Sequence, residues 1–338
     1  MFRKILSSVL FFAIAGTGAI FAQSRVALHH EGQVTIFSGG APFANACAAA
    51  ADGDTIYLSG GAFVAPAEIN KSIVVFGAGH YPDFTAVTYQ TSVGGNITVK
   101  EGADNLRLEG ILFTGNIAFA SNEKVDNVTI ARCRINGSLT YNGIYPYTTP
   151  CLNHQIIQCV LIGDLVLDNL TGSTVSNCIL QSAIIRGNDL IISNNVFLRV
   201  SYYPGSSIIP VFNGITGSTI TNNVLLGKSY ITYWQGSCTA CLFFNNLLPT
   251  PVADNYNTTA DLMCVDETNN AFDYTDDFHL QNPETYVGTD GKEVGIYGGV
   301  LGYKPGAVPN NPHFDSATIA PSTDGEGKLN VNITVIAQ

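Results

Sequence analysis

The chain has 338 residues, of which 46% are hydrophobic and only 12% charged, with 15 Lys and Arg against 26 Asp and Glu for a net charge of −11. This acidic balance excludes the clustered basic surface that nucleic acids and anionic membranes reward, and it disfavours binding of polyuronates unless a divalent cation bridges the two. Thirty-four glycines and only two methionines point to strands and turns rather than helices.

The first 22 residues read as a secretory signal peptide. Arg3 and Lys4 precede an apolar run from Ile5, small residues lead to Ala22, and Ser7, Ser8 and Thr17 interrupt the run before it could span a bilayer. Removing this leader leaves 13 basic against 26 acidic side chains. The expected location is therefore export: periplasm, cell surface or medium. No lipid-anchor cysteine lies near the cut, and no second span follows.

Residues 23–100 carry short apolar alternations broken by glycine, read as N-terminal turns of a larger coil. From residue 101 to 275 a repeat emerges. "LIISNNVFL" at 190–198, "STITNNVLLG" at 218–227 and "CLFFNNLLP" at 241–249 place an Asn pair inside an apolar strand, with matching flanks three residues before and two after the second Asn. The same flanks surround Ile111, Cys133, Cys159 and Cys178. Register positions 111, 133, 159, 178, 195, 223 and 246 follow at spacings of 22, 26, 19, 17, 28 and 23. A period in the low twenties with variable insertions is that of a solenoid whose unit cannot bury its own apolar face.

One such unit per rung puts each register residue about 4.8 Å above its equivalent. Asn195, Asn223 and Asn246 then form a hydrogen-bonded ladder at a corner, and Cys133, Cys159 and Cys178 continue the column as small buried apolar side chains. Cys238 and Cys241 are spaced to pair in an oxidising compartment, with metal binding lacking two further ligands; Cys47, Cys151 and Cys264 have no assignable partner. Residues 276–338 form a closing segment, ending in a strand over Leu329–Val335 that is expected to pack on the last turn or cover its edge.

"GDTIYLSGGAF" at 53–63, "INKSIVVFGAGHYPD" at 69–83 and "DDFHLQNPETYVGTDGKEVGIYGG" at 276–299 resemble the first turns and closing segment of secreted right-handed parallel β-helix proteins of the pectate-lyase-like superfamily, including bacterial members of uncharacterised function. The resemblance covers most of the mature chain. It implies one continuous all-β right-handed parallel β-helix, a fold that hosts lyases, hydrolases, epimerases, adhesins and inactive relatives.

Catalytic signatures of the hydrolase branch are missing. No Asn-x-Asp or Arg-x-Lys occurs, the only Asp pair is Asp276 and Asp277 in the closing segment, and Gly79-His80 is followed by Tyr81. A lyase of this family uses a base and often a calcium held by carboxylates; Asp164, Asp168, Arg186 and Asp189 are the weak candidates, with a surface ion pair as the bland alternative. The six histidines, His29, His30, His80, His154, His279 and His313, are scattered and form no metal pair.

Three insertions are aromatic: "YNGIYPYTTP" at 141–150, "SYYPGSSIIP" at 201–210 and "SYITYWQGSC" at 229–238. Tyr141, Tyr145, Tyr147, Tyr202, Tyr203, Tyr230, Tyr233 and Trp234 are expected at similar phase, lining a glycan-binding side, unless they pack their own loops down. The reading is an exported, monomeric β-helix that engages a polysaccharide or surface glycan, with no assignable catalytic activity and no certain cofactor. The alternatives are a calcium-dependent polysaccharide lyase, favoured over a glycoside hydrolase if the protein is an enzyme, and a structural or adhesive surface protein.

Overall fold

The computed structural model describes residues 24–143, 149–198, 211–226, 238–249, 251–267 and 271–337. The leader, Tyr145, Tyr147, Tyr202, Tyr203, Tyr230, Tyr233 and Trp234 lie outside the described residues.

The chain forms a parallel β-helix. Turns up to the one that ends in Phe212–Asn213 contribute a short strand to each of three sheets, as Thr129–Ala131, Arg134–Ile135 and Leu139–Tyr141 do in one turn. Every strand then pairs in parallel with the equivalent strand of the next turn. The first sheet runs from Thr55–Leu58 to Leu242–Phe244, the second from Gly61–Val64 to Tyr256–Asn257, and the third from Glu68–Ile69 to Phe212–Asn213. Strands of two to four residues suffice because the neighbouring turns supply the pairing. Their alternation sends one stripe inward: Leu108, Ile130, Ile156, Val175, Ile192 and Ile220 are stacked in the first sheet and fully or almost fully buried.

A sharp corner separates the first and second sheets, and from the turn of Arg107–Glu109 onward one residue there adopts the left-handed conformation in seven successive turns. Gly110, Arg132, Gln158, Asn177, Asn194, Asn222 and Asn245 occupy it, with φ between 51° and 70°. Asparagine tolerates this region better than other non-glycine residues. The Asn pair therefore divides its labour: the first residue turns the chain and the second enters the interior.

That interior column is continuous from Cys133 to Asn255. Asn223 Nδ2 donates to the Ile192 carbonyl of the preceding turn (2.9 Å), to Thr221 O (3.0 Å) and to Asn246 Oδ1 (2.9 Å). Asn223 Oδ1 accepts from Asn195 N and Nδ2, both at 2.9 Å. Asn246 repeats the pattern on Asn255.

The three thiols are fully buried in the core column, as their register implies, and they also form hydrogen bonds. Each donates to the carbonyl two residues before it and to one in an adjacent turn: Cys159 Sγ reaches Ile157 O at 3.3 Å and Ile130 O at 3.4 Å. Burial raises the Cys133 and Cys178 thiols far above their ordinary range, so they keep the proton they donate. All eight cysteines are free thiols, Cys238 and Cys241 included.

The open N-terminal end is covered by an antiparallel hairpin, Val26–His30 with Gln33–Phe37, and by the helix Pro42–Ala49, which buries Phe43 and Ala46. Lys71 Nζ donates to Cys47 O, Ala48 O and Ala50 O, placing a cation at the helix C-terminus where the dipole favours it.

At the other end the chain returns along the outside. Phe278, Leu280, Val294, Ile296 and Tyr303 pack on outward-facing Val160, Ile179, Val196 and Val224 of the second sheet, building a second apolar layer. The terminal strand does not pack on the last turn. Val331–Ile336 pairs antiparallel with His313–Ile319 in a two-stranded ribbon whose base, Phe314 and Val335, lies beside Ile36 and Tyr57 of the first turns. No helix among the described residues is long and apolar enough to cross a membrane.

Candidate functional site

The left-handed corner has an outer side, and residues 288–302 cross it. Gln158 Nε2 donates to Leu301 O (3.1 Å) and Gly302 O (2.5 Å), and Asn177 Nδ2 donates to Ile296 O (2.9 Å) and Gly298 O (2.8 Å). Asn222 Nδ2 donates to Thr289 Oγ1 while its Oδ1 accepts from Thr289 N. Gln158, Asn177 and Asn222, each at the left-handed position of its turn, thus fasten this strap to three rungs, and Asn194, on the rung between the last two, does not. Asp290 Oδ2 accepts from Gly299 N at 2.8 Å and closes the strap on itself.

Between strap and rungs lies a groove of about 330 Å³. One hydroxyl per rung lines it, from Ser176, Ser193 and Thr221, which pair in register on adjacent strands. Asn194 Nδ2 is buried there without a partner. A β-carbon at Gly298 would stand 2.6 Å from that nitrogen and 2.0 Å from Glu293 O, so only glycine lets the strap come this close. Ile191, Val300 and Leu301, the last two 90% and 64% exposed, add hydrocarbon to its rim. Hydroxyls and amides in register beside exposed aliphatic groups can bond a chain of neutral hydroxylated units and cover its apolar faces.

The residues singled out from sequence fall elsewhere. Arg186 forms an ion pair with Asp168, its Nη2 lying 2.9 Å from Oδ2, on the rung above and with the guanidinium half exposed. Asp164 precedes the strand Leu165–Val166 and accepts from Ser182 Oγ, while Asp189 occupies a left-handed turn with φ 51°. Among the described residues no three His, Cys, Asp or Glu side chains gather as a metal site.

Tyr141 is an interior residue, not a groove aromatic. It is fully buried, stacks on Phe119 at 4.1 Å and donates to His154 Nδ1, 3.0 Å away. The insertions also differ in position. Residues 199–210 join the second sheet to the third and residues 227–237 follow the second, whereas 144–148 follow the third-sheet strand Leu139–Tyr141.

Several buried polar groups escaped the sequence reading. Glu109, 1% exposed, takes Arg132 Nη1 at 2.6 Å on one oxygen and Arg107 on the other, a carboxylate clamped between two guanidinia. Burial first and the Arg132 charge second push the nearby Lys304 ammonium below its usual range.

His154 is held neutral, at about 4, by burial against the opposing pull of the Val125 carbonyl that its Nε2–H bonds at 2.8 Å. His80 is pushed down to about 3 by complete burial and by Arg134, and neither of its ring nitrogens has a partner. Arg134 itself lies over the Phe272 and Tyr274 rings, 5.2 and 4.9 Å from their centroids.

No family model, curated protein or solved structure matches this chain. The β-helix architecture is thus carried by the strand pairing itself, and the function must be argued from the surface that pairing builds.

Proposed function

We propose that this is an exported β-helix protein of the pectate-lyase-like kind that binds a neutral polysaccharide or surface glycan in the groove under the 288–302 strap. The observation that carries the reading is the in-register column of Ser176, Ser193 and Thr221 beside the unpaired Asn194 amide. Rungs about 4.8 Å apart set one hydroxyl oxygen on each of three adjacent strands, with Thr221 Oγ1 donating to Asn222 Oδ1, and such a row of acceptors suits a chain of repeated hydroxylated units. Ile191, Val300 and Leu301 supply the apolar contact that sugar ring faces need. The acidic net charge favours a neutral ligand over a uronate.

Binding to a panel of neutral and acidic polysaccharides, with calcium or chelator, tests the proposal, with soluble products followed by mass spectrometry. Val300→Asp and Ile191→Asp change exposed positions and leave the core intact; each is expected to weaken binding by about tenfold, or ~1.4 kcal/mol. Binding undiminished in both variants removes the groove from consideration. In that case Tyr202, Tyr203, Tyr230, Tyr233 and Trp234 become the next substitutions, as the aromatic alternative. Unsaturated fragments that require calcium would establish a lyase, and no binding to any polymer would leave the structural or adhesive role.

A further inference from the structure

A second concavity, sharing no lining residue with the strap groove, lies where the C-terminal ribbon meets the first turns. Its volume is about 520 Å³, within the range that small organic ligands occupy. One wall is aromatic: Tyr57 and Phe76, on adjacent strands of the first sheet, stack with centroids 5.6 Å apart and planes 22° from parallel. Both side chains point away from the helix interior and are only partly buried. Ile36 of the N-terminal hairpin and Phe314 and Val335 of the ribbon complete an apolar enclosure, and all three remain about half exposed. A cavity closed by three separate parts of the chain, yet leaving large apolar side chains uncovered, calls for an occupant.

Two polar features specify that occupant. Arg25 and His313 line the cavity, and among the described residues lining it there is no Asp or Glu, although the chain as a whole carries a net charge of −11. The Arg25 guanidinium at the edge of an aromatic wall, with His313 offering a ring nitrogen beside it, favours an anion joined to a flat apolar body. The second feature is Asn311, which also lines the cavity and whose Oδ1 is buried with no hydrogen-bond partner. A buried amide oxygen requires a donor, and protein supplies none here. His313 Nδ1 lies 3.2 Å from the Asn311 carbonyl, which ties the two polar residues of the ribbon approach together.

We propose that this cavity is a second binding site, for a small hydroxylated aromatic carboxylate, with its ring against Tyr57 and Phe76, its carboxylate toward Arg25 and His313, and its hydroxyl donating to Asn311 Oδ1. The site is independent of the glycan groove, sharing no lining residue with it. Its occupant would also dock the ribbon onto the first turns, because Phe314 and Val335 belong to both.

Anilinonaphthalene sulfonate, an anionic aromatic dye that brightens in apolar sites, serves as the probe on the full mature chain, with para-hydroxyphenylacetate as competitor. One equivalent of dye is expected to bind, to weaken with added salt, and to be displaced by para-hydroxyphenylacetate at lower concentration than by phenylacetate. Arg25→Glu, at an exposed position, and Phe76→Ala are each expected to weaken the dye by about tenfold or more. Asn311→Leu is expected to abolish the preference for the hydroxylated competitor while leaving phenylacetate unchanged.

Dye binding that is equal in wild type, Arg25→Glu and Phe76→Ala would overturn the site. Equal displacement by toluene would overturn the anionic ligand. Absence of dye binding together with a sedimenting dimer would mean that a second copy fills the cavity, which also overturns the proposal. Val300→Asp is expected to leave the dye unaffected, so loss of the glycan reading would not carry this one with it.

Discussion

The interior corner column is built in two chemistries, and the difference between its halves is instructive. In the turns of Cys133, Cys159 and Cys178 a thiol fills the slot; in those of Asn195, Asn223, Asn246 and Asn255 a carboxamide does. Both donate to carbonyls of the same two kinds, two residues back and one turn away. The thiol contacts run from 3.2 to 3.6 Å, while the amide contacts to carbonyls are 2.7 to 3.2 Å. The amide also bonds its neighbour in the column through Oδ1, which also accepts the backbone N–H of the next residue in line. The thiol half is joined only by the long contact from Cys159 N to Cys178 Sγ at 3.4 Å, whereas the amide half is a chain bonded side chain to side chain at every step.

Acid should separate the halves most strongly. His154 lies in the thiol half, and His80 packs by Arg134 next to Cys133, whereas an asparagine does not titrate. Both histidines have folded pKa values lowered by burial, to about 4 and about 3, from an ordinary 6.5. A lowered folded pKa gives stability that is complete above pH 6.5 and lost as pH falls, because the unfolded chain takes up protons the folded chain refuses. Each histidine costs about 1.4 kcal/mol per pH unit in that window, or roughly 5 kcal/mol for both between about pH 6.5 and about pH 4.5. Urea midpoints across this range measure it, and His80→Phe with His154→Gln should flatten the dependence. Hydrogen exchange at pH 5 should open the thiol turns first; faster exchange at Asn195 and Asn223 would reverse the comparison.

The next effect strikes the amide half. Asn223→Leu keeps volume but leaves the Asn195 backbone N–H without its acceptor and breaks the chain between Asn195 and Asn246. An orphaned buried N–H together with several lost bonds should cost about 4 kcal/mol. The thiol half should respond less: Cys159→Ala should cost ~1–2 kcal/mol from the small void and two weak bonds, and Cys159→Ser, which can donate to the same carbonyls, less than ~1 kcal/mol. Equal losses for Asn223→Leu and Cys159→Ala in thermal unfolding would show that the amides are not coupled.

Much of this column was legible because its signal is local. Apolar flanks at fixed offsets locate the register residues, and strand pairing aligns Arg134, Val160, Ile179, Val196, Val224 and Leu247, each one residue past its register residue. The strap was not legible, since Gln158 and Asn177 donate to main-chain carbonyls, which carry no residue identity. Tyr141 was misassigned although its signal was present: Leu139, Thr140 and Tyr141 alternate, so Tyr141 faces inward with Leu139. Glu109 and Arg132 lie 23 residues apart, one turn of the repeat, and could have been matched from the register alone. The groove follows only once the strap is placed.

The smallest effect belongs to Arg186 and Asp168, weak catalytic candidates in the sequence whose alternative reading was the surface ion pair that they form. Arg186 and Asp168 meet across adjacent turns near the third sheet, outside both halves of the corner column. The guanidinium is half exposed, so water and salt screen the attraction, and ordering a long side chain offsets much of the remainder. Arg186→Ala should therefore change stability by no more than about 0.5 kcal/mol, and by less in high salt. It should leave glycan binding unchanged, because Asp168 and Arg186 do not line the strap groove. A double-mutant cycle with Asp168→Ala reads the coupling directly. A coupling of several kcal/mol, or loss of glycan binding in Arg186→Ala, would move the centre of function from the amide corner to this ladder.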